Sequence, residues 1–225
     1  MDKLQLISKE IDVAKSAVLF NKPITAENLK TDWETHNCPW TVNDGWLTGK
    51  NPEESAGMAL LKEDFLGNIL LEFEGRTVYP STHDIDFLWH GEWSDSLNSC
   101  GVGYIGGLSG WWTGRTGIEK SPDYKLRATT KNFMLEPGRT YKVQAGSING
   151  YCFLFIDGKE IIAITDPDPI DNTKYGKVAF TAWSSHIQIR NIVIRQISWK
   201  PVEMEYTPEF HFDKSALFDI LPSLK

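Results

Sequence analysis

Two acids interrupt an aromatic run, His83-Asp84-Ile85-Asp86-Phe87-Leu88-Trp89-His90-Gly91-Glu92-Trp93. Side chains alternate along a strand, so Ile85, Phe87, Trp89 and Trp93 share one face, and Asp84, Asp86, Leu88, His90 and Glu92 share the other. Acids disfavour strands, and two of them among aromatics need a reason. Asp84 and Asp86 stand roughly 7 Å apart at the Cα, a spacing from which two carboxyls can serve glycoside cleavage. Crowded carboxyls raise one another's pKa and leave a proton donor beside an ionised partner. His90 titrates near neutrality and could move a proton, with Glu92 beyond it. The plain alternatives are a solvated charged face and a hydrogen-bonded structural histidine. Glu72 and Glu74 would join the acids if their strand formed a hairpin with this one.

Binding signals lie further on. Trp111-Trp112 sits in a glycine-rich stretch, Gly101–Lys120, which reads as a strand ending in a loop where a ligand or backbone comes close. An exposed indole offers a flat platform for the C–H face of a sugar and an N–H donor. Arg115 and Glu119 follow and suit hydroxyls or a uronate carboxylate. Trp183 and His186 flank Ser184-Ser185 at a corner between two strands. The acidic loop Asp166–Asp171 could hold Ca²⁺, yet neither it nor Asp84, Asp86 and His90 matches an established ligand spacing, so neither a metal nor a cofactor is expected. No phosphate-binding glycine loop, nucleophile elbow or Cys/His pair is present.

The elements that must position these residues read as strands. Asn149-Gly150 and Asp157-Gly158 are type I′ turn dipeptides, and they fold Tyr141–Thr165 into a three-stranded meander that needs a second sheet to cover it. Asn68–Val78 alternates Ile69, Leu71 and Phe73 with Leu70, Glu72, Glu74 and Arg76. Lys177–Trp183 and His186–Ile197 are the last strands, and Ala14–Phe20 an edge strand. Ala26–Asp32 is a short helix or turn, and the tail after Lys200 offers another short helix capped by Asp213. About a dozen strands and no long amphipathic helix give a single antiparallel β-sandwich of jelly-roll type over residues 1–225, with its core in 33–197 and 198–225 as a C-terminal extension.

Composition narrows the function. The chain has 225 residues, a net charge of -7 and 9 Trp among 12% aromatics. With no Lys/Arg cluster, nucleic acid and anionic membrane are not expected partners. No apolar run approaches a membrane span. The N-terminus lacks an apolar leader core, and three cysteines in no ligand pattern fit a reduced compartment, so the expected location is cytoplasmic.

An Asp44-Gly45-Trp46 opening, the glycine-rich middle, the Phe155–Ile161 hairpin and Tyr175–Phe180 leading into Ile189–Ile194 resemble the concanavalin A-like lectin/glucanase sandwiches. Within them the chain is similar to bacterial 3-keto-glycoside hydrolase-like and YesU-like proteins of sugar-utilisation clusters. The resemblance implies carbohydrate recognition or processing on the concave sheet face. The Glu-x-Asp-x-(x)-Glu strand of family 16 glucanases has its nearest counterpart in Asp84–Leu88. The first acid is shortened there, and the last is replaced by Leu88 or displaced to His90 or Glu92, which counts against a double-displacement glucanase. Three readings follow: a glycoside hydrolase acting on a small oligosaccharide, a non-catalytic lectin-like binder, and an assembly module pairing with a second copy of the chain.

Overall fold

The computed structural model describes residues 2–111 and 114–203. Trp112 and the tail helix expected at Asp213 lie outside the described residues. Two antiparallel sheets face each other. One runs, in spatial order, Arg127–Thr130, Arg115–Ser121, Gly103–Trp111, Ile85–Gly91, Lys177–Ala182, Gly57–Leu61 and Trp33–His36. The other runs Lys159–Thr165, Tyr151–Ile156, Tyr141–Ile148, Ile69–Thr77, Ser185–Gln196, Trp46–Asn51 and Trp40–Asn43, with Ala17–Phe20 added along Ser185–Gln196. The fold is therefore the all-β sandwich that the alternation predicts.

Three tight turns follow from their dipeptides. Asp44-Gly45, Asn149-Gly150 and Asp157-Gly158 all hold φ between 49° and 82°, the left-handed pair that a two-residue I′ hairpin requires. The last two produce the expected meander, paired Ser147 to Cys152 and Leu154 to Ile162. The one described helix, Ala26–Asp32, starts where the Thr25 side chain accepts from the Asn28 N–H at 3.0 Å.

The core lies between the sheets. Ile69, Leu71 and Phe73 from one sheet meet Ile85, Phe87, Trp89 and Phe180 from the other. Phe73 packs edge-on against both Phe87 and Phe180, with centroids 5.1 and 5.0 Å apart. The 69–77 and 85–91 strands thus sit in opposite sheets and form no hairpin. Glu72 and Glu74 consequently point away from Asp84 and Asp86, on the outer face of the second sheet, where Arg195 and Arg190 bind them at 2.7 Å each. That outer face is partly covered by a small sheet of Lys3–Gln5, Lys9–Asp12 and Trp199–Pro201, which lays Leu4, Leu6 and Ile11 on Leu70, Phe153 and Phe155.

Alternation fails at one place. His90 takes φ +48° and the pairing with Lys177–Ala182 slips by a residue, a β-bulge. The bulge turns His90 to the core side and dismisses Trp93 from the Ile85–Trp89 face. Trp93 instead stacks on His36 with ring centroids 3.9 Å apart.

Candidate functional site

Cross-strand register assembles the site on the outer face of the first sheet. Asp86 lies opposite Thr181 on one side and Gly107 on the other. In the next row on the same face, Leu88 faces Ile105, Ile105 faces Glu119, and Glu119 faces Arg127. Asp84 precedes the strand at φ +73°, a conformation that Asp tolerates better than most residues. Its neighbour in space is Gly110.

The glycines explain the shape. A Cβ on Gly110 would overlap Asp84 Oδ1, and one on Gly107 would overlap Asp86 Oδ1. Gly107 and Gly110, within the strand Gly103–Trp111, thus make room for the two carboxyls. A bulge between Gly107 and Trp111, with Ser109 at φ +58°, brings the Trp111 ring back over Gly107, 2.5 Å from where a Cβ would stand. Ser109 is locked there: its N–H donates to Thr116 Oγ1 at 3.0 Å and its hydroxyl accepts from the Leu135 N–H at 2.9 Å.

The result is a pocket of about 350 Å³ whose lining includes Asp84, Asp86, Trp111, Glu119, Tyr124 and Trp183. Asp84 is buried, and Asp86 keeps part of its surface open to the pocket while its Oδ1 is enclosed. Each carboxyl keeps a buried Oδ1 without a hydrogen-bond partner, and the two lie close enough for each to shift the other's titration. Burial, the mutual repulsion and nearby Glu119 hold Asp86 well above the usual carboxylate range; burial likewise raises Asp84. Buried Glu119 is also raised by desolvation, opposed by the Arg127 guanidinium at 2.8 Å and by the Trp111 indole N–H. The rim carries two exposed rings, Trp183 at 40% and Tyr124 at 44% of full exposure.

Five of the residues singled out from sequence therefore meet in one pocket: Asp84, Asp86, Trp111, Glu119 and Trp183. Others do not. His90 lies on the far side of the sheet, edge-on to Tyr104 at 6.3 Å, facing a separate cavity with Ser147. Burial pushes its imidazole down to about 4, so it is neutral and remote from the acids. Glu92 is held by backbone bonds to Val102 and Gly101 and does not line the pocket. Arg115 shares the face but reaches Thr129 Oγ1 at 3.4 Å instead. His186 sits across a ridge in another hollow. Asp166 accepts from Tyr104 at 2.8 Å and pairs with Lys120 at 3.0 Å, so its carboxylate is already engaged. Among the described residues, no three His, Cys, Asp or Glu side chains are grouped to hold a metal. Tyr124, Arg127 and Thr181 escaped the sequence reading; the one available signal was an Arg and a Glu on adjacent strands of opposite charge.

No family model and no curated protein matches this chain. Solved structures do. A protein from Bacillus subtilis described as having a galectin-like fold superposes with a TM-score of 0.66 at 15% identity, covering 81% of this chain and 98% of that one. The fold is a galectin-like, concanavalin A-type sandwich. Carbohydrate-binding module CBM66 of the same organism matches with a TM-score of 0.57 at 10% identity over 73% of this chain and 95% of its own. A candidate glycosyl hydrolase from Parabacteroides distasonis matches at 0.54 and 15% identity, over 78% and 99%. At such identities the likeness is one of architecture.

Proposed function

We propose that this chain binds a small saccharide in the pocket over Asp86 and cleaves a glycosidic bond there. The observation that carries the reading is the pair of adjacent, desolvated carboxyls that share a hollow with a third acid, Glu119, rimmed by exposed aromatic rings. Perturbed acids gathered in a cleft mark functional sites more often than structural ones. The carbohydrate-binding and hydrolase-like proteins that share the fold add support.

Glu119 stands two strands over and two residues along from Asp86. Sheet spacings put their Cα atoms roughly 12 Å apart, a separation that suits the wider carboxyl pair of an inverting hydrolase, with a water between them, better than the close pair of a retaining one. In this scheme Asp86 holds the pair's proton and passes it to the glycosidic oxygen as the C–O bond breaks. Glu119, whose upward shift by burial is opposed by Arg127 and Trp111, takes a proton from the water whose oxygen bonds to the anomeric carbon. Trp183 and Tyr124 pack against the ring faces.

A second reading, a lectin-like binder, draws on the Arg127–Glu119 pair, which leaves Glu119 already engaged. Anomer-resolved NMR on a panel of oligosaccharides separates the two. For the hydrolase, Asp86→Asn and Glu119→Gln each lose at least about 100-fold in kcat while still binding sugar. Binding without turnover in the unaltered protein selects the lectin.

A further inference from the structure

A second hollow, of about 490 Å³, lies beside the first. Its lining includes Lys50, Tyr79, His83, Ser184 and His186. The two hollows share a wall one residue thick at two points. Asp84 belongs to one and His83 to the other; Trp183 belongs to one and Ser184 to the other. Consecutive Cα atoms are about 3.8 Å apart, so the two linings abut at these points, within the span of neighbouring units of one saccharide.

Their chemistry is opposite. The first holds Asp84, Asp86 and Glu119, with Arg127 bound to Glu119. The second collects Lys50, His83 and His186, and among the described residues no acid side chain lines it. Lys50 and His186 face each other directly across paired strands, and neither forms an ion pair among the described residues. Tyr79, 82% exposed, offers a ring at the edge, followed by the flat face of Pro80. Burial and the charge of Lys50 lower the pKa of the His186 imidazole, so Lys50 supplies the hollow's positive charge and His186 a neutral ring that can donate an N–H.

We infer that the second hollow takes an anionic unit of the same saccharide whose neighbouring neutral unit occupies the acid pocket. This rests on the saccharide reading and refines it: the substrate is an acidic oligosaccharide, and the separation of charge fixes the direction in which it lies. An anionic unit is repelled by the carboxyls of the first hollow and attracted by Lys50 and the imidazole N–H groups of the second.

Calorimetry on the full chain tests this, using neutral glucose and xylose trisaccharides and their counterparts ending in glucuronate or carrying a sulfate ester. Expected is an affinity about tenfold higher for an anionic member than for its neutral twin, eroded by raising NaCl from 50 to 300 mM. Whether carboxylate or sulfate gains more identifies the anion. Lys50→Gln should bring the anionic affinity down to the neutral level, and Lys50→Glu should invert the preference, with melting curves confirming that both fold. Equal affinities for neutral and anionic members, or a preference that survives both substitutions, overturns the acidic-substrate inference and leaves the pocket reading standing. No binding by any saccharide overturns both.

Discussion

At the scale of single residues, Asp84 and Asp86 are two crowded, desolvated carboxyls that hold protons more tightly than free ones do. Asp84 is pushed up to about 6 by burial, and Asp86 is raised by burial and by Asp84. A carboxyl whose folded pKa is raised binds its proton more tightly in the folded state. Its stabilising contribution is therefore full below the unfolded value near 4 and is lost as pH climbs through about 6 and beyond. Asp86→Asn removes one charge and supplies an amide that can donate to Asp84. At pH 8 the variant is expected to melt about 3–8 °C higher than the parent, with the gap closing toward pH 4. Parallel pH profiles for the two proteins would contradict the raised carboxyls. The acids were legible because two Asp residues stand out in an aromatic strand. His90 was misplaced because strict alternation assigns it to their face, and a single left-handed residue undoes alternation. Glu119 was read as a hydroxyl binder, since its place in Leu88's row depends on pairings across two strands that local pattern does not encode.

At the scale of elements, the glycine-rich strand determines whether the carboxyls have room. Gly110→Ala and Gly107→Ala each drive a methyl into a carboxyl oxygen. Overpacking of this kind costs about 1–3 kcal/mol, and a displaced carboxyl loses its geometry. Both variants are expected to fold with a lowered melting temperature and to lose saccharide turnover or binding, whereas Gly138→Ala at an open turn, where nothing lies within 4 Å, should leave the pocket's binding intact. Unchanged activity in Gly110→Ala would mean that the Asp84 position does not matter. The turn dipeptides were readable because their chemistry is local: Asn-Gly and Asp-Gly supply the positive φ pair by themselves. The glycine-rich segment was read as a strand ending in a loop that something approaches closely; what approaches its glycines, Asp84, Asp86 and Trp111, was not legible, because only the assembled sheet brings them there.

At the scale of the molecule, two sheets divide the labour. The first carries the pocket on its outer face. The second turns its outer face to ion pairs such as Arg190–Glu74 and to the small terminal sheet. Removing residues 1–13 would uncover Leu70, Phe153 and Phe155, with each large apolar side chain losing about 1.5–3 kcal/mol of burial. The truncated chain is expected to melt well below the parent and to self-associate, as light scattering would register; an unaltered melt would show that the terminal strands add nothing. The sandwich itself was legible in the period-two runs and the number of strands. Which strands pair was not, because pairing joins residues far apart in sequence, as Arg195 with Glu72.

The most direct test follows the indole N–H signals of nitrogen-15-labelled protein during titration with oligosaccharides. Trp111 and Trp183 line the pocket, while Trp46 lies on the opposite sheet between Arg76 and Arg190 and Trp89 is sealed in the core. Expected are saturable shifts of the Trp111 and Trp183 signals, abolished at Trp183 by Trp183→Ala, with Trp46 and Trp89 unmoved. Shifts confined to Trp46 or Trp199, or a silent Trp111 under a saturating sugar, would contradict a saccharide site over Asp86.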